Sequence, residues 1–131
     1  MKLDQITDGE LSILQVLWER GEATTREITT VIYDEVTDPK MASVQKLIER
    51  LEAKGCVFRD RSERAHRFRP LVSQEQLLRS RLQALADRLC DGALVPLVTS
   101  LLKTERLPKK EREQLRKLVD DLWPTNNRTS E

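Results

Sequence analysis

The sequence contains few of the residues on which catalysis and metal binding depend. It has one histidine, His66, and neither a glycine-rich phosphate loop nor a serine or cysteine motif accompanies it. The two cysteines, Cys56 and Cys90, lie far apart and match no metal-ligand spacing. We therefore expect no enzyme activity, no metal site and no cofactor. Both cysteines are interpreted as reduced thiols, with a dimer-linking or redox-sensing Cys90 as the alternative.

Long apolar runs are also missing. No stretch approaches the roughly 18 apolar residues that a membrane-spanning helix needs. The N-terminus lacks the apolar region of a secretory signal. These absences predict a cytoplasmic protein that does not insert into a membrane.

Charged residues are abundant, but their distribution along the chain is uneven. The formal net charge is only +1. Residues 1–39 carry three basic and nine acidic side chains, whereas residues 40–69 carry nine basic and four acidic ones. A basic segment within an otherwise balanced chain is typical of phosphate binding.

Three helices are predicted in the first half of the chain from their start signals. Capping boxes begin at Thr7 and Thr24, each with a glutamate three residues later. For the third helix, Asp38 is the expected cap and Pro39 the first helical residue. This helix should end at Gly55.

The pattern after Gly55 predicts a β-hairpin. Residues 56–61 and 65–69 are short runs in which basic and apolar side chains are interleaved, as expected for a hairpin with one packed face and one basic face. Three helices followed by a basic hairpin indicate a winged helix-turn-helix domain, assigned to residues 1–72. The predicted fold class is mainly α with a small β-hairpin.

Residues 73–123 are predicted to form a C-terminal helical dimerisation region, and residues 124–131 a flexible tail. Pro96 is expected in the first turn of its helix. The apolar side chains could pack back on the winged domain, but we favour a dimer interface. The leucines assigned to it, spaced at helical intervals, are Leu78, Leu82, Leu85, Leu89, Leu97, Leu101, Leu118 and Leu122.

The third helix has the features of a major-groove recognition helix. On a helical wheel, one arc is apolar, and the opposite arc carries small, amide and basic side chains that suit base edges and phosphates. The apolar arc comprises Val44, Leu47, Ile48 and Leu51. The predicted base-reading residues, in the N-terminal half of the helix, are Ala42, Ser43, Gln45 and Lys46. Exposed Glu49 either accepts a hydrogen bond from cytosine or faces solvent.

Phosphate contacts are predicted at three places. Arg50 and Lys54 extend the recognition helix, and the hairpin tip would contribute Arg61, Arg64 and Arg67. Thr25 could donate a hydrogen bond to a phosphate from the start of the second helix. Capping of that helix explains Thr24 and Thr25 equally well.

The chain resembles the penicillinase repressor (BlaI/MecI-type) family over nearly its whole length. The resemblance rests on residues 7–11, 16–18, 42–55, 59–68 and 92–94, which read TDGEL, VLW, ASVQKLIERLEAKG, RDRSERAHRF and GAL.

This resemblance implies a homodimer on an inverted-repeat operator in double-stranded DNA. It also implies cleavage in the C-terminal half, triggered by a membrane-bound sensor metallopeptidase, at a bond that corresponds to Ser100–Leu101. In the recognition helix, Arg50 matches the family directly, whereas the family's Lys-Thr pair becomes Ala42-Ser43 and a threonine becomes Lys46. The cysteine motif of the copper-responsive relatives is absent, so no metal sensing is expected.

The predicted function is therefore a sequence-specific DNA-binding transcriptional repressor that acts as a homodimer and is inactivated by proteolysis. The alternative is a winged-helix module for protein–protein interaction without sequence-specific DNA binding.

Overall fold

The computed structural model describes residues 3–103 and 107–124. After a short 3-10 helix at Leu3–Gln5, the elements in chain order are α1 (Asp8–Arg20), β1 (Ala23–Thr24), α2 (Thr25–Tyr33), α3 (Asp38–Ala53), β2 (Val57–Asp60), β3 (Arg67–Pro70), α4 (Gln74–Leu89), α5 (Val95–Lys103) and α6 (Lys109–Leu122). The chain forms two compact units, the first ending at Ala84 and the second beginning at Leu85. Among the described residues, no helix is both long enough and apolar enough to cross a membrane.

The predicted capping boxes of α1 and α2 are both present. The Thr7 hydroxyl accepts a hydrogen bond from the Glu10 amide (3.2 Å), and the Glu10 carboxylate accepts one from the Thr7 amide (2.9 Å). Thr24 and Glu27 repeat this exchange at α2. These reciprocal bonds satisfy backbone donors that a helix start leaves without partners, so the first two helices begin where the sequence indicates.

The start of α3 differs from the prediction. Thr37, not Asp38, caps the helix, because its hydroxyl accepts a hydrogen bond from the Lys40 amide (3.3 Å). Asp38 is the first helical residue, where its carboxylate interacts favourably with the helix dipole, and Pro39 lies in the same turn. At the other end, the backbone of Gly55 has a positive φ of 77°, and the helix ends beside it as expected.

The sheet contains one strand more than the sequence suggests. β2 and β3 form the predicted hairpin, but β1 also pairs antiparallel with β3, which gives the strand order β1–β3–β2. The register places Phe68 of β3 between Ala23 and Arg59. Three helices followed by this hairpin form a winged helix-turn-helix, which confirms the predicted fold class. We call the hairpin formed by β2 and β3 the wing.

The first unit has a continuous apolar core. Val44, Ile48 and Leu51 of α3 are fully buried, as the helical wheel predicts. The other core members come from α1, α2, the sheet, α4 and the loops beside them: Ile6, Ile13, Leu14, Val16, Leu17, Ala23, Ile28, Cys56, Val57, Phe68, Val72 and Leu77. Burial of a large apolar side chain contributes about 1.5–3 kcal/mol, so this core accounts for much of the stability of the unit.

Most of α4, up to Ala84, belongs to this first unit. Its Leu77 is buried in the core, and Arg81 donates a hydrogen bond to the carbonyl of Ile6 (2.6 Å). Just before α4, the Trp18 indole donates to the carbonyl of Val72 (2.8 Å). The compact unit therefore extends beyond residue 72, where the sequence suggested a boundary.

The second unit comprises the end of α4 together with α5 and α6. Pro96 lies in the first turn of α5, as expected. Val98 and Leu102 of α5 line one shallow cavity together with Leu115 and Val119 of α6. Among the described residues from Leu85 onward, only Ala86 is buried.

Candidate nucleic-acid interface

The outward face of α3 carries free polar and basic groups. Ala42, Ser43, Gln45, Lys46 and Arg50 are all exposed, while the opposite face of the helix is anchored in the core. The side chains of Lys46 and Arg50 form no hydrogen bond or ion pair with any residue among 3–103 and 107–124. The helix therefore presents two uncommitted cations and one amide on a rigid support, which suits base edges and phosphates.

Lys54 does not belong to this free set. Its ammonium donates to the carboxylate of Glu10 (2.6 Å) and to the carbonyl of Gln5 (2.6 Å). Glu10 is fully buried, so Lys54 neutralises a carboxylate inside the protein. Burial acts to raise the pKa of Glu10, but the hydrogen bonds from Lys54 and from the Thr7 amide outweigh it and lower that pKa. We therefore omit Lys54 from the candidate interface.

The three arginines assigned to the hairpin tip have different surroundings. Arg61 and Arg64 are exposed in the turn, and neither forms a hydrogen bond or ion pair within the part of the chain that the structure describes. Arg67 instead lies 3.5–3.8 Å from the carboxylates of Glu22, Glu27 and Glu63. Its charge is largely balanced by acidic neighbours, so Arg61 and Arg64 are the stronger candidates for phosphate contacts.

The pKa of Glu27 reflects both its cap and this cluster. The hydrogen bond from the Thr24 amide lowers it most, burial opposes this effect, and the positive charge of Arg67 lowers it further.

Thr25, the remaining candidate, is the first residue of α2 and is half-buried. Its position beside the cap is compatible with a phosphate contact at the helix start.

Sequence reasoning missed Arg59, which joins the wing to α3. Its guanidinium donates two hydrogen bonds to the Glu52 carboxylate, from Nε to Oε2 (2.9 Å) and from Nη2 to Oε1 (2.7 Å). Its Nη1 lies 3.0 Å from Nδ1 of His66, and the group stacks on the Phe68 ring, 4.7 Å from the centroid. The only signal in the sequence was an arginine in a predicted strand that follows a helix with a glutamate near its end.

His66 therefore lies within the wing and not in a reactive cluster. Since a guanidinium only donates, Nδ1 of His66 is the acceptor in this contact. Within the described residues, no three histidine, cysteine, aspartate or glutamate side chains are arranged to hold a metal ion. Both cysteines are free thiols, with Cys56 buried and Cys90 half-buried.

The predicted dimerisation leucines are largely open to solvent in the single chain. Leu97 is half-buried and the other seven are exposed. Leu78 and Leu82 lie in the first unit and the rest lie in the second. Ser100 and Leu101, the bond assigned to cleavage, lie in the last turn of α5 and are exposed.

Comparison with known proteins gives consistent results. The family model described as "Penicillinase repressor" matches residues 6–121. The penicillinase repressor of Bacillus licheniformis is 23% identical over 92% of this chain and 93% of that protein. The penicillinase repressor of Staphylococcus aureus is 26% identical over 90% of this chain and 93% of that protein. The transcriptional regulator BlaI of Mycobacterium tuberculosis (strain H37Rv) is 26% identical over 92% and 87%.

The solution structure of the DNA-binding domain of the repressor BlaI is also similar to this chain. It has a TM-score of 0.47 and 22% identity, and the match covers 57% of this chain and 90% of that one. Because the family model spans most of the chain, the assignment does not depend on this structure. The chain belongs to the penicillinase repressor family, a family of transcriptional repressors.

Proposed function

We propose that this chain is a sequence-specific DNA-binding repressor that binds an inverted-repeat operator as a homodimer, with α3 in the major groove. The observation that carries the proposal is the division of α3 into two faces. One face packs into the core, with Val44, Ile48 and Leu51 fully buried. The other presents Gln45, Lys46 and Arg50, whose side chains have no hydrogen-bond or ion-pair partner among the described residues. A glutamine can pair with adenine, and lysine or arginine with guanine, while Ala42 and Ser43 are small enough for a close approach.

In this proposal, the wing supplies contacts that do not depend on base sequence. Arg61 and Arg64 in the wing turn and Thr25 at the start of α2 would contact phosphates on either side of the recognition helix. Such contacts fix the register of the protein on the duplex and make affinity fall as salt rises.

The homodimer is supported by the exposed leucines of α4, α5 and α6. Apolar surface of this extent on a small unit favours association with a second copy. Two half-sites bound by one dimer gain affinity through effective concentration, so loss of the dimer would release the operator.

We further propose that release occurs by cleavage of Ser100–Leu101 by a sensor metallopeptidase of the membrane. The support is the family assignment together with the exposure of this bond at the end of α5. Mass spectrometry of the chain recovered after induction would locate the cut. A C-terminal fragment beginning elsewhere than at Leu101 would contradict this assignment.

The proposal is tested by selecting bound duplexes from a random DNA library at near-physiological salt. We expect an enriched inverted repeat, with half-sites separated by about one helical turn, 10–10.5 base pairs, or a multiple of it. Retention of DNA without enrichment would leave a non-specific binder or a protein-interaction module, and the repressor proposal would fail.

A further inference from the structure

We propose that Arg59 and Glu52 are positioning residues for operator binding, because they hold the wing in a fixed orientation against the recognition helix without touching DNA themselves. This inference rests on the proposed function and adds a requirement to it. The wing must be ordered before its arginines and the face of α3 can contact one duplex together.

The first support is the geometry around the guanidinium. Arg59 is inward-facing on β2, with its side chain mostly buried between Glu52 of α3, the His66 ring and the Phe68 ring. Two parallel hydrogen bonds to one carboxylate fix both the distance and the orientation of the two elements, which a single bond would not do. All of these groups lie in the first unit.

The second support is the absence of another polar link of this kind. Among the described residues, no other side-chain hydrogen bond or ion pair joins the wing strands, Val57–Asp60 and Arg67–Pro70, to α3. The apolar side chains Val57 and Phe68 anchor the base of the wing in the core. Its outer part, which includes the turn that carries Arg61 and Arg64, extends beyond that core. Arg59 lies directly across from Phe68, at the outer edge of this core, and its bonds to Glu52 would limit how far the outer part can swing.

The third support is electrostatic. Glu49 and Glu52 lie one turn apart on α3 and would repel a phosphate backbone. The hydrogen bond from Arg59 lowers the pKa of Glu52, so this carboxylate stays ionised and paired. Hydrogen bonding to Glu52 raises the pKa of Arg59, and the nearby charge of Glu49 acts in the same direction. The pair thus keeps Glu52 directed at the wing and away from the DNA-facing arc.

A direct DNA contact by Arg59 is the main competing explanation. The two explanations differ in salt dependence. Removal of an arginine that contacts a phosphate lowers the slope of log affinity against log salt by about one. Removal of a positioning residue lowers the affinity with a much smaller change in slope.

The test measures operator affinity and its salt slope for full-length variants, using the duplex that the wild-type chain enriches. We expect Arg59→Gln to weaken binding about tenfold, the scale of one lost charged hydrogen-bond pair. The slope of log affinity against log salt should change by less than about half a unit, where one lost phosphate contact changes it by about one. Arg69→Gln is the matched control, because it removes the same charge from the adjacent strand. Arg69 stacks on Phe58 on the exposed face of the wing and forms no link to α3 among the described residues.

The sign of the effect of Glu52→Gln distinguishes a positioning role from simple electrostatic repulsion of DNA by this carboxylate. If electrostatic repulsion alone mattered, removal of a negative charge near DNA would tighten binding. We expect weaker binding, about threefold, because the paired hydrogen bonds are lost. The double variant Glu52→Gln/Arg59→Gln should bind no more weakly than Arg59→Gln alone, since both changes remove the same interaction.

Arg59→Lys is a more conservative variant that tests the same role if Arg59→Gln fails to fold. It keeps the charge but cannot form the two-pronged bond, so it should lose most of the affinity that Arg59→Gln loses. Wild-type affinity for Arg59→Lys, tighter binding by Glu52→Gln, or a full unit of lost slope for Arg59→Gln would each overturn the inference. If the wild-type chain itself enriched no duplex, the proposed function would fail, and this inference with it. The wild-type measurement therefore separates the two failures.

Discussion

The two units of the chain place their apolar residues differently. In the first, the apolar faces of α1, α3 and the sheet are directed at one another, and large side chains such as Phe68 and Ile48 are buried. In the second, residues of the same type remain open, with Leu89 72% exposed and Leu101 61% exposed. The described part of the second unit contains only a few helices and no strand. It is therefore too small to enclose its own apolar surface.

The basic residues of the first unit fall into two groups. The first unit directs several of its cations at carboxylates, as in the pairs Lys54–Glu10 and Arg59–Glu52. Lys46 and Arg50 form no ion pair within the part of the chain that the structure describes. Its stability and its proposed DNA surface therefore depend on different residues. The second unit is expected to depend on a partner copy for its stability. Substitutions in each unit test this separation.

The largest effect is expected from Leu85→Asp in α4. In the proposed homodimer, a charge at this position would be buried in the apolar surface without a partner, so the dimer should dissociate to monomers at micromolar concentration. Sedimentation equilibrium measures this. Arg79→Asp is the control, because Arg79 lies on the same helix with a highly exposed side chain and should leave the dimer intact. An unchanged dimer in Leu85→Asp would place the interface elsewhere.

Lys54→Met should destabilise the first unit without acting on the proposed interface. It leaves the Glu10 carboxylate buried without its cation, at a cost of about 3 kcal/mol in the free energy of unfolding. Urea denaturation of both proteins measures the difference. Lys40→Met, which breaks the more exposed pair with Glu35, should cost less than about 0.5 kcal/mol. Equal losses in the two variants would contradict a special role for the buried pair.

The loss in Lys54→Met should depend on pH. The folded pKa of Glu10 is lower than its ordinary value of 4.5, so its stabilising contribution is complete above about pH 4.5 and is lost as pH falls through the folded pKa. Without Lys54, burial dominates and favours the protonated carboxyl. The stability difference between wild type and variant should therefore shrink on acidification, and a constant difference from pH 7 to pH 3 would count against this account.

Lys46→Ala combined with Arg50→Ala should act on DNA binding alone. Neither side chain has a hydrogen-bond or ion-pair partner among residues 3–103 and 107–124, so their loss should weaken operator binding about 100-fold, at roughly 1–3 kcal/mol per lost contact, with no change in assembly. Fluorescence anisotropy with the selected duplex measures the affinity, and sedimentation checks the dimer. Wild-type affinity in this double variant would show that α3 is not the recognition helix.

The smallest effects are expected at the start of α2, where adjacent threonines have different roles. Thr24→Ala removes the cap of α2 and should cost about 1 kcal/mol in the free energy of unfolding. Thr25→Ala removes no capping bond, so it should leave stability nearly unchanged while weakening DNA binding modestly. Thermal melts and anisotropy on the same two variants measure both quantities. A Thr25→Ala variant with unaltered DNA affinity would remove Thr25 from the interface.

Local signals in the sequence predicted much of the fold. The capping boxes at Thr7 and Thr24 and the glycine at position 55 were recognisable because each acts within one helical turn. The strand Ala23–Thr24 was missed because two residues are too few to show an alternating pattern, and its partner lies far along the chain. At α3, the prediction of Asp38 as the cap was wrong, because the side chain of the preceding Thr37 reaches the backbone amide instead.

The candidate site was predictable only in part, for a related reason. The free face of α3 follows from helical periodicity, which is a property of the helix alone. The status of Lys54 and Arg67 depends on carboxylates brought close by the fold, namely Glu10 for one and Glu22 and Glu27 for the other. A count of basic residues does not distinguish free cations from paired ones.

The positions of the two tryptophans give each unit its own optical reporter. Trp18 is half-buried and hydrogen-bonded to the Val72 carbonyl in the first unit, whereas Trp123, at the end of α6, is 69% exposed in the second. The indole of Trp123 fluoresces from a solvent-exposed environment in a single chain, and from a less exposed one wherever association covers it. Emission from a Trp123→Phe variant would isolate Trp18 and follow the winged domain alone. The difference spectrum against wild type would then follow the C-terminal helices, without any added label.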